Sequence, residues 1–204
     1  MKTNRLRIGI HLLTLVAVAA WAAPVQARPS KFKLVDKGGK GEKAWKVYRG
    51  NRIKNAKDLR WLKKKGVTRV IALENWNHKS LIRAAKKMGV EYVPAFMARG
   101  RPGELGRKRL GKNVSDDLAK PGHVTYVYCT YGVHRTGGVI GRFRAERGWS
   151  CDAILREARK YGFRKTHYKK YNRLLDWVRK GCRGNTGKGK APRKGSRKSP
   201  RKSR

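Results

Sequence analysis

Acidic residues are scarce in this chain. Its 204 residues include 12 Asp and Glu against 54 Lys and Arg, a formal charge of +42, and no aspartate lies between Asp58 and Asp116. A surface so short of counter-charge cannot be near neutral, and it points to polyanionic partners or surroundings. Cysteine is scarce too. Cys129, Cys151 and Cys182 are the only three; no histidine–cysteine spacing resembles a zinc site, and nothing suggests a metal or nucleotide cofactor. Long apolar runs are nearly absent. The one present, Ile8 to Ala23, is broken by His11 and Thr14 and is short for a membrane span. It follows a basic start (Lys2, Arg5, Arg7) and precedes the small-residue signal Val25-Gln26-Ala27. That pattern is read as a secretory signal peptide over residues 1–27, whose removal leaves +39 and an exported protein, periplasmic or secreted.

The remaining length allows one ordinary domain with extensions. Residues 28–44 are rich in Lys and Gly with little periodicity and read as a mobile basic lead-in. From Trp45 the pattern tightens into a domain expected over residues 45–181. Val47-Tyr48 suggests a short strand. Asn55 can cap a helix whose inner face is Leu59 and Leu62 and whose stop is Gly66, and Val67 to Leu73 follows as a strand. The scheme repeats: Leu81, Ile82, Ala85 and Met88 at helical spacing, Gly89 as the stop, then a strand from Val90 to Phe96. Helix–glycine–strand units in succession predict an α/β fold with a central, mostly parallel sheet flanked by helices.

Arg99 to Gly122 contains Pro102 and few apolar residues, with one short helix expected near Val114 to Ala119. A loop this long reads as functional or mobile, and its place suggests a lid. Three helices follow His134. Val139, Ile140 and Phe143 face inward on the first. Ser150 caps the second, with Ile154, Leu155, Ala158 and Tyr161 as its stripe. Thr166 caps the third, with Tyr168, Tyr171, Leu174, Leu175 and Val178, and these aromatics are expected in the core. Residues 182–204 form a basic tail; from Arg183 it holds ten basic and no acidic residues and is expected to be disordered.

The chemistry concentrates between His123 and Trp149. An alternating apolar segment (Val124, Tyr126, Tyr128) leads to Cys129, five residues intervene, then come Arg135, Thr136 and two glycines opening a helix. A strand–loop–helix turn offers successive backbone N–H groups, and the positive end of a helix, to an anion. The same field favours a thiolate, the form of cysteine that acts as nucleophile. Arg135 can grip two phosphate oxygens with its planar fork, and Gly132 and Gly137 let the backbone curl closely round an anion. The competing reading, a buried structural cysteine, accounts for the thiol but not for the glycine, arginine and helix start that follow it.

These residues resemble the C-x5-R-[ST] signature loop of the cysteine-based protein tyrosine and dual-specificity phosphatases, in their compact bacterial form. The likeness extends to Gly148–Phe163 (GWSCDAILREARKYGF) downstream and Val47–Glu74 upstream, roughly Trp45 to Gly181 in all. It implies a dual-specificity-phosphatase-like fold and a cofactor-free phosphoric monoester hydrolase. Cys129 would form a phosphocysteine, Arg135 would clamp the phosphate, and the Thr136 hydroxyl would ease hydrolysis of the intermediate. Thr130, Tyr131, Gly132, Val133, His134 and Arg135 would bind phosphate.

The chain departs from that family twice. The family carries histidine before the nucleophile, where this chain has Tyr128. An upstream loop aspartate usually protonates the leaving group; here the candidates are Glu104, favoured by loop position, and Asp117 or its neighbour Asp116, favoured by residue type. His134 is a further candidate donor. Cys151 and Cys182 could pair and leave Cys129 free, or all three could be thiols.

Three functions are compatible with these residues. One is a protein phosphatase of tyrosine or dual specificity. The second applies the same chemistry to small polyanions such as inositol phosphates or phosphoinositides. The third is a non-catalytic polyanion binder whose tail holds nucleic acid or an anionic surface with steep salt dependence. A rhodanese-like sulfur transferase fits Arg135-Thr136 less well. A monomer is expected.

Overall fold

Capping and glycine chemistry sets the frame. In the computed structural model, which describes residues 29–74, 78–97, 113–164 and 169–185, the Asn55 side chain accepts hydrogen bonds from the Lys57 and Asp58 amides at 2.9 and 3.1 Å and starts helix α1 (Ala56–Lys64). Gly66, at φ +81°, ends it, since an L residue resists that conformation. Strand β3 (Arg69–Ala72) follows. Helix α2 (Lys79–Lys87), Gly89 at φ +65° and strand β4 (Glu91–Pro94) repeat the unit. Leu59 and Leu62 of α1 and Leu81 and Ala85 of α2 are buried; each leucine contributes about 1.5–3 kcal/mol. Ile82, expected on the inner face of α2, is exposed instead.

The sheet runs β1-β2-β5-β3-β4, with β1 (Lys33–Gly38), β2 (Trp45–Asn51) and β5 (Val124–Cys129) completing it. β2, β5, β3 and β4 are parallel, and β1 pairs antiparallel with β2. The edge strand β1 corrects the expectation of a mobile lead-in over residues 28–44. Its alternation was hard to read because Val35 is its one buried apolar side chain, Leu34 faces solvent, and a register shift interrupts the pairing between Leu34 and Asp36. Phe32, just before it, stacks on Tyr48 at 4.5 Å and meets Trp61 edge-on.

Side chains alternate across the sheet. Tyr126 and Tyr128 pack with α1 and α2, whereas Val127 and Cys129 share the opposite core with helices α4 (His134–Glu146), α5 (Cys151–Lys160) and α6 (Lys169–Cys182). The short helix α3 (Val114–Leu118) precedes β5 and is capped by Asn113. Ser150 caps α5 through the Ala153 amide.

Cys151 and Cys182 form a disulfide between α5 and α6 across 31 residues of sequence, and Cys129 is a free thiol. Closing a loop of that size contributes about 3–4 kcal/mol in the chain-entropy account. The buried Arg144 of α4 ties β1 to α5: it bonds Asp36 at 2.9 Å and both oxygens of Glu157 at 3.2 Å, and lies 4.0 Å from the Trp149 ring centre. The segment expected to be a signal peptide, most of the loop expected to be a lid with Glu104, the expected Thr166 cap with Tyr168, and the chain beyond residue 185 lie outside the described residues.

Candidate active site

β5 delivers Cys129 to the carboxyl end of the sheet, buried at 4% exposure, and α4 begins five residues later. The intervening turn presses against the end of β2. Gly132 stands at φ +65°, and a Cβ there would overlap the Gly50 carbonyl, so both backbone conformation and close approach require glycine. Gly50 is constrained in turn, since a Cβ on it would overlap the Tyr126 hydroxyl.

Each carbonyl of the turn is held by a donor. Cys129 O accepts from the Gly132 amide at 3.1 Å and Thr130 O from the Arg52 amide at 3.4 Å. Tyr131 O accepts from Lys31 Nζ at 3.2 Å, and Gly132 O from the Arg49 guanidinium at 2.8 Å. Val133 O receives the Gly137 amide at 2.7 Å as α4 begins. In a trans peptide the C=O and the following N–H point opposite ways. The amides of Tyr131, Val133 and His134 are therefore turned away from those donors, as an anion-holding nest requires. The first turn of α4 adds its positive end.

Charge around the turn is mostly positive. Arg135 is half-buried and makes no ion pair among the described residues. His134 stacks on Tyr171 at 3.7 Å with rings 9° apart and meets Phe163 edge-on at 6.1 Å. Tyr171 and Tyr161, expected as core aromatics, thus support the site, Tyr161 lying under the Arg49 guanidinium at 3.9 Å. Tyr131 stands 64% exposed at the rim, and Val133 is buried in the core. Thr136 is wholly buried, and its hydroxyl has no hydrogen-bond partner among the described residues.

Among the described residues one carboxylate reaches the turn itself, and sequence reasoning passed over it. Glu74, 3% exposed, pairs with Arg52 in a two-pronged bridge of 2.6 and 2.8 Å. It also accepts from the Thr130 hydroxyl at 2.6 Å, while Arg52 reaches the same hydroxyl at 3.1 Å. Committed to two donors, Glu74 braces the first residue after the nucleophile. Its signal was available: an acidic residue directly behind an apolar parallel strand sits where α/β sheets place their sites.

Tyr128 occupies the position before the thiol, but its side chain points to the other face of the sheet. Its hydroxyl lies 2.6 Å from that of Tyr92, which lies 2.8 Å from His78 Nδ1, and His78 Nε2 lies 3.0 Å from the Glu74 carbonyl. A carbonyl only accepts, so Nε2 carries the proton; in neutral His78 Nδ1 accepts from Tyr92, which accepts from Tyr128. Burial pushes both phenols well above their ordinary range, keeping them as neutral donors.

Asp117 is not brought to the turn, which corrects its candidacy as the acid. It lies on α3, where its carboxylate approaches Arg69 at 3.9 Å. Arg69 registers with Thr125 at the start of β5, four residues from Cys129, a span of about 13 Å at strand spacing. The reason is topological: a residue just before a parallel strand lies at the opposite end of the sheet from the residue that closes that strand. Burial raises the Asp117 carboxyl, partly offset by Arg69. Asp116 is exposed beside Asn113, Ser115, Glu146 and Arg147, also away from the turn. Glu104 lies outside the described residues. Among the described residues no cluster of three His, Cys, Asp or Glu could hold a metal ion.

No family model and no curated protein matches the sequence. Solved structures do. The catalytic core of the PP-IP phosphatase SIW14 from S. cerevisiae, solved with citrate, is 23% identical, with a TM-score of 0.52 over 72% of this chain and 85% of that one. A putative phosphatase from Shewanella putrefaciens is 16% identical, with a TM-score of 0.51 over 74% and 91% of the two chains. The phosphatase Tk-PTP is 15% identical, with a TM-score of 0.50 over 72% and 94%. The chain therefore has the fold of the cysteine-based phosphatases of dual-specificity type.

Proposed function

We propose that the protein is a cysteine-dependent phosphatase that hydrolyses phosphomonoesters through a phosphocysteine, in the manner of tyrosine and dual-specificity enzymes. The observation that carries this is the turn after Cys129, whose carbonyls are all held by protein donors, which turns the Tyr131 and Val133 amides toward an anion beside Arg135. In this reading the Cys129 thiolate attacks phosphorus. The ester oxygen departs with the electron pair of the P–O bond and takes a proton, with the His134 imidazole as the candidate donor. Water then attacks the phosphocysteine, the S–P bond breaks, and inorganic phosphate leaves with the thiolate restored. Thr136 assists the second step.

A more anionic substrate, such as an inositol phosphate, is favoured by the cations on and around the turn, by the +42 charge, and by likeness in fold to a PP-IP phosphatase. Export accords with the basic-apolar-small pattern of residues 1–27 and with the Cys151–Cys182 disulfide, since such bridges persist in oxidising compartments. The tail, rich in Lys and Arg, would add non-specific attraction to anionic surfaces or nucleic acid.

The test is phosphate release from an aryl phosphate and from inositol hexakisphosphate, by the protein and by Cys129→Ser. Turnover that disappears in the variant is expected, and the preferred ester identifies the substrate class. Absence of turnover on both, with phosphate still bound, would replace this reading by the polyanion binder.

A further inference from the structure

Three arginines of the described core are almost wholly buried, and they are not compensated alike. Arg144 bonds Asp36 and Glu157, and Arg69 pairs with Glu91 at 3.1 Å. Arg49, 2% exposed, forms no ion pair with any described carboxylate. Glu157 acts on it from a distance, but both Glu157 oxygens are committed to Arg144. What Arg49 does meet is the Gly132 carbonyl at 2.8 Å and the face of Tyr161 at 3.9 Å. An uncompensated buried charge is costly, and burial does pull the Arg49 guanidinium below its usual range. Its register explains its place. Arg49 pairs with Val127 and Asn51 with Cys129 on parallel strands, so the guanidinium shares the sheet face of the thiol, one pleat away.

On the phosphatase reading above, we infer that Arg49 is a positioning residue of the Cys129 turn: it holds the Gly132 carbonyl outward and supplies, from beneath, a positive charge that an anion in the turn balances. The anion's own clamp, Arg135, approaches from α4, so the two guanidinium groups act from different elements. This assigns to β2 a part in catalysis that its sequence, a lone arginine between Tyr48 and Gly50, does not announce. It also accounts for a catalytic turn that works without the usual neighbouring histidine: the electrostatic support comes from the adjacent strand.

The test compares the purified protein with Arg49→Met and Arg49→Lys, measuring kcat/KM on an aryl phosphate, Kd for inorganic phosphate by calorimetry, and thermal unfolding. Arg49→Met should lose about ten- to a hundred-fold in kcat/KM, the worth of one charged hydrogen bond, and about ten-fold in phosphate affinity. Arg49→Lys, which keeps the charge but not the fork, should bring phosphate affinity back to within about three-fold while an about ten-fold loss of kcat/KM remains. A purely structural arginine would shift unfolding without this charge-dependent rescue. A folded Arg49→Met with near-native kcat/KM and phosphate affinity overturns the inference. Should that variant not fold, native kcat/KM in Arg49→Lys overturns it instead. Failure of the unaltered protein to hydrolyse the aryl phosphate overturns the phosphatase reading itself, an outcome separable from either.

Discussion

The two ends of the parallel strands have opposite chemistry. At the amino end, around α3, carboxylates gather: Asp116, Asp117 and Glu91 lie there with Lys120 and Arg69, and Asp36 and Glu146 line a nearby cleft of about 480 Å³. At the carboxyl end, Lys31, Arg49, Arg52, His134 and Arg135 surround one buried carboxylate, Glu74, which is bound to Arg52 and Thr130. In a chain with 12 acidic residues this partition matters. Partly exposed carboxylates compensate structural arginines at one end, while at the other most of the positive charge is left for a ligand. Arg144 and Arg49 express the same contrast.

Four substitutions probe it. The largest effect belongs to Cys129→Ser, which should lower phosphate release from an aryl phosphate by on the order of 10⁴–10⁶, the cost of removing a catalytic nucleophile. Residual activity near the native level would show that the cationic end is not a cysteine site. Next, Gly132→Ala should cost about 1–3 kcal/mol of strain, and its overlap with Gly50 adds to that. Crystals of the variant should show a displaced turn, and kcat should fall by about a hundred-fold as the amides leave their alignment; an undisturbed turn with native kcat would refute the close-packing argument.

At the carboxylate-rich end the expectation reverses. Arg144→Met strips Asp36 and Glu157 of their main partner, so unfolding should shift by about 2–3 kcal/mol, discounted because both carboxylates are partly in water. Activity per folded molecule should hold. The mildest change is Asp117→Asn, with kcat within about two-fold of native. Its effect on stability follows from sign. Burial raises the Asp117 carboxyl in the folded state, so the folded protein keeps that proton to higher pH than the unfolded chain. Stability therefore declines as pH rises through the acid range, and Asp117→Asn should flatten that decline in thermal scans run upward from about pH 4. A large drop in kcat for Asp117→Asn would return it to candidacy as the acid and break the comparison.

How far these features could be read in advance depends on sequence distance. Asn55, Gly66, Gly89 and Ser150 act within one helical turn, and their roles as caps and stops were legible. So was the strand–turn–helix around Cys129, because thiol, glycine and arginine fall within one short stretch of the chain. Arg49, Lys31 and Glu74 were not, since they reach the turn from 83, 100 and 56 residues away. Asp117 misled for the complementary reason: near Cys129 in sequence, it is separated from it by the length of β5.

By itself, then, the sequence determined the local grammar: the periodic helices, the glycine stops, the apolar parallel strands, and a nucleophile and guanidinium spaced to share one turn. Those rest on interactions within a few residues, which any chain with this pattern makes. The sheet order decided the rest. Only when β2 lies beside β5 does Arg49 come beneath Gly132, and only when β3 flanks the other side does Glu74 meet Thr130. Strand pairing is a long-range choice governed by burial of two faces at once, and that choice gave one end of the sheet its carboxylates and left the other its cations.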